Sequence, residues 1–128
     1  MASYVLDASA LLALLKQETG SEQVADLITE GAAISSVNFS EVVAKLSEAG
    51  MPEKAIHETL DMLSLMIVDF DITFAYDVGL LRPLTKHVGL SLGDRACLVL
   101  AKHLDLPAVT TDRIWESLSL GITFEVIR

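Results

Sequence analysis

Two rhythms run through this chain: short all-apolar runs, and longer stretches in which apolar residues recur three or four positions apart. Ser3 to Leu6 is a run of the first kind ending at Asp7, and Ala8 to Leu15 behind it is a strongly apolar helix candidate. Gly20 separates this from a helix over Ser21 to Ile28, with Val24, Leu27 and Ile28 on one face and Glu22, Asp26 and Glu30 off it. Gly31 ends that helix, and Ala32 to Val37 follows as a buried strand. Asn38-Phe39-Ser40-Glu41 then offers a polar cap with an acid three residues on, opening a helix from about Ser40 to Ala49.

Gly50-Met51-Pro52 is a turn that puts Pro52 at the first position of a helix over Pro52 to Leu63, striped by Ile56, Leu60 and Leu63. Leu65 to Val68 is a third strand, and Asp69 and Asp71 after it are turn residues. A helix from Ile72 to about Thr85 is expected, against the grain of Gly79 and Pro83. Ser91 with Asp94 three residues later opens a nearly all-apolar helix to Leu104. Leu106-Pro107 stops it, Ala108-Val109-Thr110 is an interior strand, and Asp112 follows. A short helix over Ile114 to Leu118 and a strand over Thr123 to Ile127 close the chain. Strands alternating with helices imply right-handed βαβ units. The expected fold is α/β: one domain over residues 1–128, a three-layer sandwich whose mainly parallel sheet of about five strands carries helices on both faces.

Composition refines this picture at three points. The chain is 52% hydrophobic but 5% aromatic, so its core is aliphatic. The one cysteine, Cys97, has no internal disulfide partner and sits in an apolar helix, which suggests a buried thiol in a reducing compartment. The N-terminus has no basic leader, and no apolar run approaches the ~18 residues that span a bilayer, so a soluble cytoplasmic protein without membrane contact is expected. Net charge is −9, which argues against phosphate-rich partners unless divalent cations reverse the local field.

Asp7, Glu41, Asp94 and Asp112 each fall after an expected strand or in the first turn of an expected helix. Capping accounts for any one of them, since an acid accepts free backbone N–H groups and complements the helix dipole. Four together are different, because strand ends and helix starts share one rim of a parallel sheet, where ligands bind. Carboxylates gathered there repel one another, a cost that Ser, Thr or Asn caps avoid and that Mg²⁺ or Mn²⁺ relieves. Such ions support phosphoryl transfer by making water nucleophilic and by stabilising the phosphate as the leaving oxygen departs. Bland readings suffice elsewhere. His57, Glu58 and Asp61 form a solvated helix face, Arg95 pairs with a surface acid, and Trp115 packs under the terminal strand.

Tyr4-Val-Leu-Asp7-Ala-Ser-Ala-Leu, Asn38-Phe-Ser-Glu41-Val, Ser91-Leu-Gly-Asp94-Arg-Ala-Cys-Leu and Val109-Thr-Thr-Asp112-Arg resemble the four acidic motifs of PIN-domain nucleases, with the nearest likeness to VapC-type toxins. The likeness runs in order through the whole chain to the closing F-E-V-I-R. It implies a Mg²⁺- or Mn²⁺-dependent endoribonuclease that leaves a 5′-phosphate and a 3′-hydroxyl. It also implies a homodimer held inactive by a small antitoxin. By the same likeness Asp7 and Asp94 are direct metal ligands, Glu41 and Asp112 complete the catalytic set, and Ser9 and Thr110 support the carboxylates or water. The apolar helices at Leu11 to Leu15, Val24 to Ile28 and Ile56 to Leu63 are the expected source of the antitoxin groove and dimer face. The alternative is a receiver-like phospho-acceptor domain that binds Mg²⁺ at an acidic rim. It needs neighbouring acids after the first strand, where Leu6 and Ala8 flank Asp7, and a lysine after the last strand, where none follows Val109.

Overall fold

The computed structural model describes residues 1–127; Arg128, the end of F-E-V-I-R, lies outside them. In chain order the elements are β1 (Tyr4–Leu6), α1 (Ala8–Leu15), α2 (Ser21–Glu30), β2 (Ala32–Ser35), α3 (Ser36–Glu48) and α4 (Glu53–Asp61). There follow β3 (Met66–Val68), α5 (Ile72–Leu80), α6 (Arg82–Thr85), α7 (Leu92–Leu104), β4 (Ala108–Thr110) and β5 (Phe124–Val126). Single 3₁₀ turns lie at Lys86–Val88 and Arg113–Ser117.

Alternation along the strands sets the layers. Val5, Ala33 and Ala108 share one buried cluster with Cys97, Leu98, Leu100 and Ala101 of α7. Their neighbours Leu6, Ala32 and Val109 share another with Ala10 of α1 and Val24 and Leu27 of α2. Because Val5 pairs with both Ala33 and Ala108, one register places these small and branched side chains on the same face. Ile34 continues the α1 side, packing with Leu11, Val42, Leu46, Ile56 and Leu60 from α1, α3 and α4. The sheet is therefore covered on both faces, as the continuous apolar reading of its interior strands requires. All its pairings are parallel, in the order β3-β2-β1-β4-β5. That order reverses between β1 and β4, so the rim above their carboxyl ends is the crevice of the fold.

Helix ends explain where the chain departs from expectation. The Ser35 hydroxyl accepts the Val37 amide and starts α3 at Ser36, so β2 stops short of Val37 and Asn38 is inside the helix rather than its cap. The long helix over Ile72 to Thr85 is two helices, α5 and α6, broken at Leu81, because Pro83 lacks the N–H that would bond the carbonyl one turn back. Helix α7 ends without glycine: Asp105 takes the left-handed conformation, and the Leu106 amide reaches back to Ala101.

The helices expected to supply a partner surface are largely spent on the core. Leu11, Val24, Leu27, Ile56 and Leu60 are core residues, so the inner faces of α1, α2 and α4 are already filled by the protein itself. The apolar residues left in solvent instead include Ile72, Tyr76 and Leu80, one turn apart on α5, continued by Leu84 on α6. Among the described residues, no helix is long and apolar enough to cross a membrane.

Candidate active site

Asp7 stands where β1 hands over to α1, at the reversal of strand order, and is only 4% exposed. Its amide donates to the Val109 carbonyl at 3.0 Å, which ties the turn to β4. Its Oδ1 accepts the Ala10 amide at 2.8 Å, the cap of α1, and the Ser9 hydroxyl at 2.7 Å. Its Oδ2 accepts the buried Thr110 hydroxyl at 2.6 Å. Ser9 and Thr110 are fixed in turn, accepting the amides of Thr111 and Asp112, both at 3.1 Å. Burial nevertheless dominates: desolvation, with Asp94 nearby, pushes the Asp7 carboxyl up to about 6 against the pull of these three donors.

Glu41 differs from the other acids. With α3 starting at Ser36 it lies in the second turn, beyond reach of any free N–H, and so has no capping work. Although the side chain as a whole is exposed, its carboxylate lies over the first turn of α7. Desolvation there and the charge of Asp94 raise its pKa, in spite of the Asn38 amide and Lys45. Asn38, 1% exposed, donates through Nδ2 both to Glu41 Oε1 at 3.1 Å and to the Gly93 carbonyl at 3.0 Å.

Asp94 completes a capping box: its backbone N–H donates to the Ser91 hydroxyl, and its Oδ2 accepts the Ser91 amide at 2.9 Å. Oδ1 is left for other work. Asp7, Glu41 and Asp94 all act on one buried point, Cys97, whose thiol is pushed well up by burial first and then by these three charges. Asp112 is at the same rim but exposed, its Oδ1 accepting the Ile114 amide at 3.0 Å. The fold thus brings Asp94 within electrostatic reach of both Asp7 and Glu41 and keeps Asp112 at the margin as a cap.

The donor set is all carboxylate and hydroxyl oxygen, the chemistry hard divalent ions prefer. Among the described residues, no three His, Cys, Asp or Glu side chains are close enough to form a complete ligand set. Mg²⁺ keeps several of its waters when bound, so fewer protein ligands would suffice for it.

Other candidates resolve simply. Among the described residues Arg95 pairs with no acid; one guanidinium N–H donates to the Val78 carbonyl at 3.0 Å, fastening α7 to α5. His57 lies 3.7 Å from Glu53 on the exposed face of α4. Trp115 is fully buried, edge-on to Phe124 of β5. Asp71 caps α5 by accepting the Phe74 amide. Sequence reasoning missed Asn38 and Gly93 as parts of the site, and the available signal was the spacing of Asn38 to Glu41, which puts both on one helix face.

The PIN domain profile matches residues 4–119. No curated protein matches the chain by sequence. Among solved structures the fold is similar to DNA-bound VapBC from Salmonella typhimurium, at 22% identity over 98% of both chains with a TM-score of 0.75. It is similar also to VapBC2 from Rickettsia felis bound to a promoter DNA fragment, at 21% identity over 98% of both chains and a TM-score of 0.74. A third is VapBC-5 from Mycobacterium tuberculosis, of the VapBC family of toxin–antitoxin systems, at 20% identity over 98% of both chains and a TM-score of 0.58.

Proposed function

The chain belongs to the PIN-domain family, and from that premise we propose that it is a divalent-metal-dependent endoribonuclease, the toxin half of a type II toxin–antitoxin pair of the VapC kind. The observation that carries this reading is Glu41. Caps explain Asp7, Asp94 and Asp112, but nothing in the stability of α3 calls for an acid that must be held, at a cost to its ionisation, beside Asp94.

Asp7 is the fixed member, its three hydrogen bonds placing two donors on Oδ1 and one on Oδ2, which keeps a lone pair unused. Asp94 has one carboxylate oxygen outside its capping box in the first turn of α7, and these two would hold the ion. When bound, Mg²⁺ or Mn²⁺ supplies the positive charge that lets an acidic protein accept a phosphodiester, and it acidifies water for attack on phosphorus. Glu41 would take the proton of the attacking water, which Asp112 would help to orient from the margin of the site, while Ser9 and Thr110 keep the Asp7 carboxylate from turning. The 3′-oxygen would leave with the electron pair of the broken P–O bond and take a proton from solvent. Displacement at phosphorus leaves a 5′-phosphate and a 3′-hydroxyl.

The partners follow from the same reading. An antitoxin whose inhibitory segment places an arginine or lysine among the carboxylates suits a chain of net charge −9. Its homodimer uses the Ile72, Tyr76, Leu80 and Leu84 stripe: α5 carries one charged residue, Asp77, which His103 holds at 2.8 Å, so a second acidic copy meets no repulsion there. Such a pair works in the cytoplasm, where its RNA is. The receiver-like alternative fits less well, since that fold runs 2-1-3-4-5 and this sheet runs β3-β2-β1-β4-β5.

The test is total RNA incubated with purified protein and its Asp7→Asn variant, with Mn²⁺ or with EDTA. Cleavage by the wild type in Mn²⁺ alone is expected. Cleavage that survives EDTA, or that Asp7→Asn leaves intact, removes the mechanism.

A further inference from the structure

We infer that Asn38 and Gly93 together form a seat for the Glu41 carboxylate, Asn38 as a positioning residue and Gly93 as the gap it needs. This rests on the nuclease reading above and adds to it how the acid without a capping role is kept in place.

A glutamate on an exposed helix turn has three side-chain torsions and no reason to stay beside another carboxylate. Repulsion from Asp94 and the loss of hydration both drive it outward, and both act in the direction that raises its pKa. Lys45 opposes them through its charge, and the one hydrogen bond that opposes them comes from a buried amide. Asn38 Nδ2 spans from Glu41 Oε1 on its own helix to the carbonyl of Gly93 on α7, far along the chain. The reverse orientation of the amide would set oxygen against two oxygens, so the donor must face this way. Its Oδ1 is then left buried without a partner. An apolar side chain would fill that space without an orphaned acceptor, so the retained amide is explained by what its nitrogen does rather than by packing.

The second half of the seat is a missing atom. A Cβ built on Gly93 would stand 2.7 Å from Cδ and 2.8 Å from Oε2 of Glu41, and closer still to Oε1. Gly93 has no left-handed backbone to demand glycine and sits in the first turn of α7, where alanine is the better helix former. Its use there leaves the acid room to lie flat against the helix start. The three nearest atoms an alanine Cβ would meet all belong to the end of one flexible side chain, so the fold survives it while Glu41 has to leave.

Gly93→Ala therefore separates position from stability. Gly93→Ala and Asn38→Asp are each expected to lower cleavage on the order of 100-fold, as Glu41→Gln does. Gly93→Ala should keep the wild-type melting temperature or exceed it. Because the ion is assigned to Asp7 and Asp94 rather than to Glu41, the rise in melting temperature on adding Mn²⁺ should remain in Gly93→Ala and Glu41→Gln. Adding Glu41→Gln to Gly93→Ala should cost nothing further. If Glu41→Gln is impaired while Gly93→Ala behaves as wild type, or if the two losses multiply in the double variant, the seat is overturned. If Glu41→Gln itself cleaves RNA normally, it is instead the nuclease reading of Glu41 that fails. Should Asn38→Asp unfold, the Gly93→Ala series decides alone.

Discussion

At Asp7, hydration and hydrogen bonding pull in opposite directions, and the balance makes a prediction about pH. The carboxyl titrates at about 6 in the folded protein, against about 3.9 in an unfolded chain, so the native state binds its proton more tightly. The stability this lends is complete below the unfolded value and is lost as pH rises through about 6, a loss of about 3 kcal/mol by neutrality. Asp7→Asn keeps the acceptor for Ala10 and presents an N–H to Thr110, so it escapes that loss. In EDTA at pH 7 it should melt several degrees above the wild type, with the difference closing toward pH 4; equal melting at both pH values would show that Asp7 is not strained. Cys97 gives a second residue-scale expectation. Burial and three nearby carboxylates hold its thiol protonated, so a thiol reagent at pH 8 should label the denatured protein and leave the native one untouched. Rapid native labelling would mean that α7 does not cover it.

Among the elements, α7 carries most of the arrangement. Its Ser91 hydroxyl is a true cap and also shapes the turn that presents Asp94, so Ser91→Ala should cost about 1 kcal/mol by chemical denaturation. An unchanged unfolding midpoint would place the helix start elsewhere. This cap was legible in the sequence, as were α1 and β4, because Ser91 and Asp94 hold the spacing of a capping box and Pro107 marks a stop. The start of α3 was not. Ser35, Ser36, Asn38 and Ser40 are all competent caps, and no local rule ranks them; β2 decides, since its pairing with β3 runs as far as Ser35 with Val68 and leaves the next residue free to turn. That shift of a few residues is what moved Glu41 out of the first turn and hid the roles of Asn38 and Gly93, whose link depends on two helices meeting across the chain. The division of α5 from α6 was foreshadowed by Pro83, and its exact place was not.

For the whole molecule, strand order does what local pattern alone does not. Reversal between β1 and β4 gathers Asp7 and Thr110 at one crevice, with α3 and α7 bringing Glu41 and Asp94 over it. Apolar periodicity announced the helices but not which faces would be used up by the core: the inner faces of α1, α2 and α4 are spent there, and the apolar residues left exposed include a stripe on α5 and α6. Light scattering should give twice the 13.8 kDa chain mass for the wild type and the single mass for Tyr76→Arg with Leu80→Arg, without loss of helical signal. A wild-type monomer, or a dimer indifferent to these changes, would place the interface elsewhere. The central claim is that acids distant in sequence create a cation site, and Mn²⁺ binding followed by electron paramagnetic resonance tests it without RNA. Wild-type protein at pH 7 should quench the free-ion signal as Mn²⁺ is added, and Asp7→Asn should leave it at the level of buffer; equal quenching by both, or none by either, would contradict it.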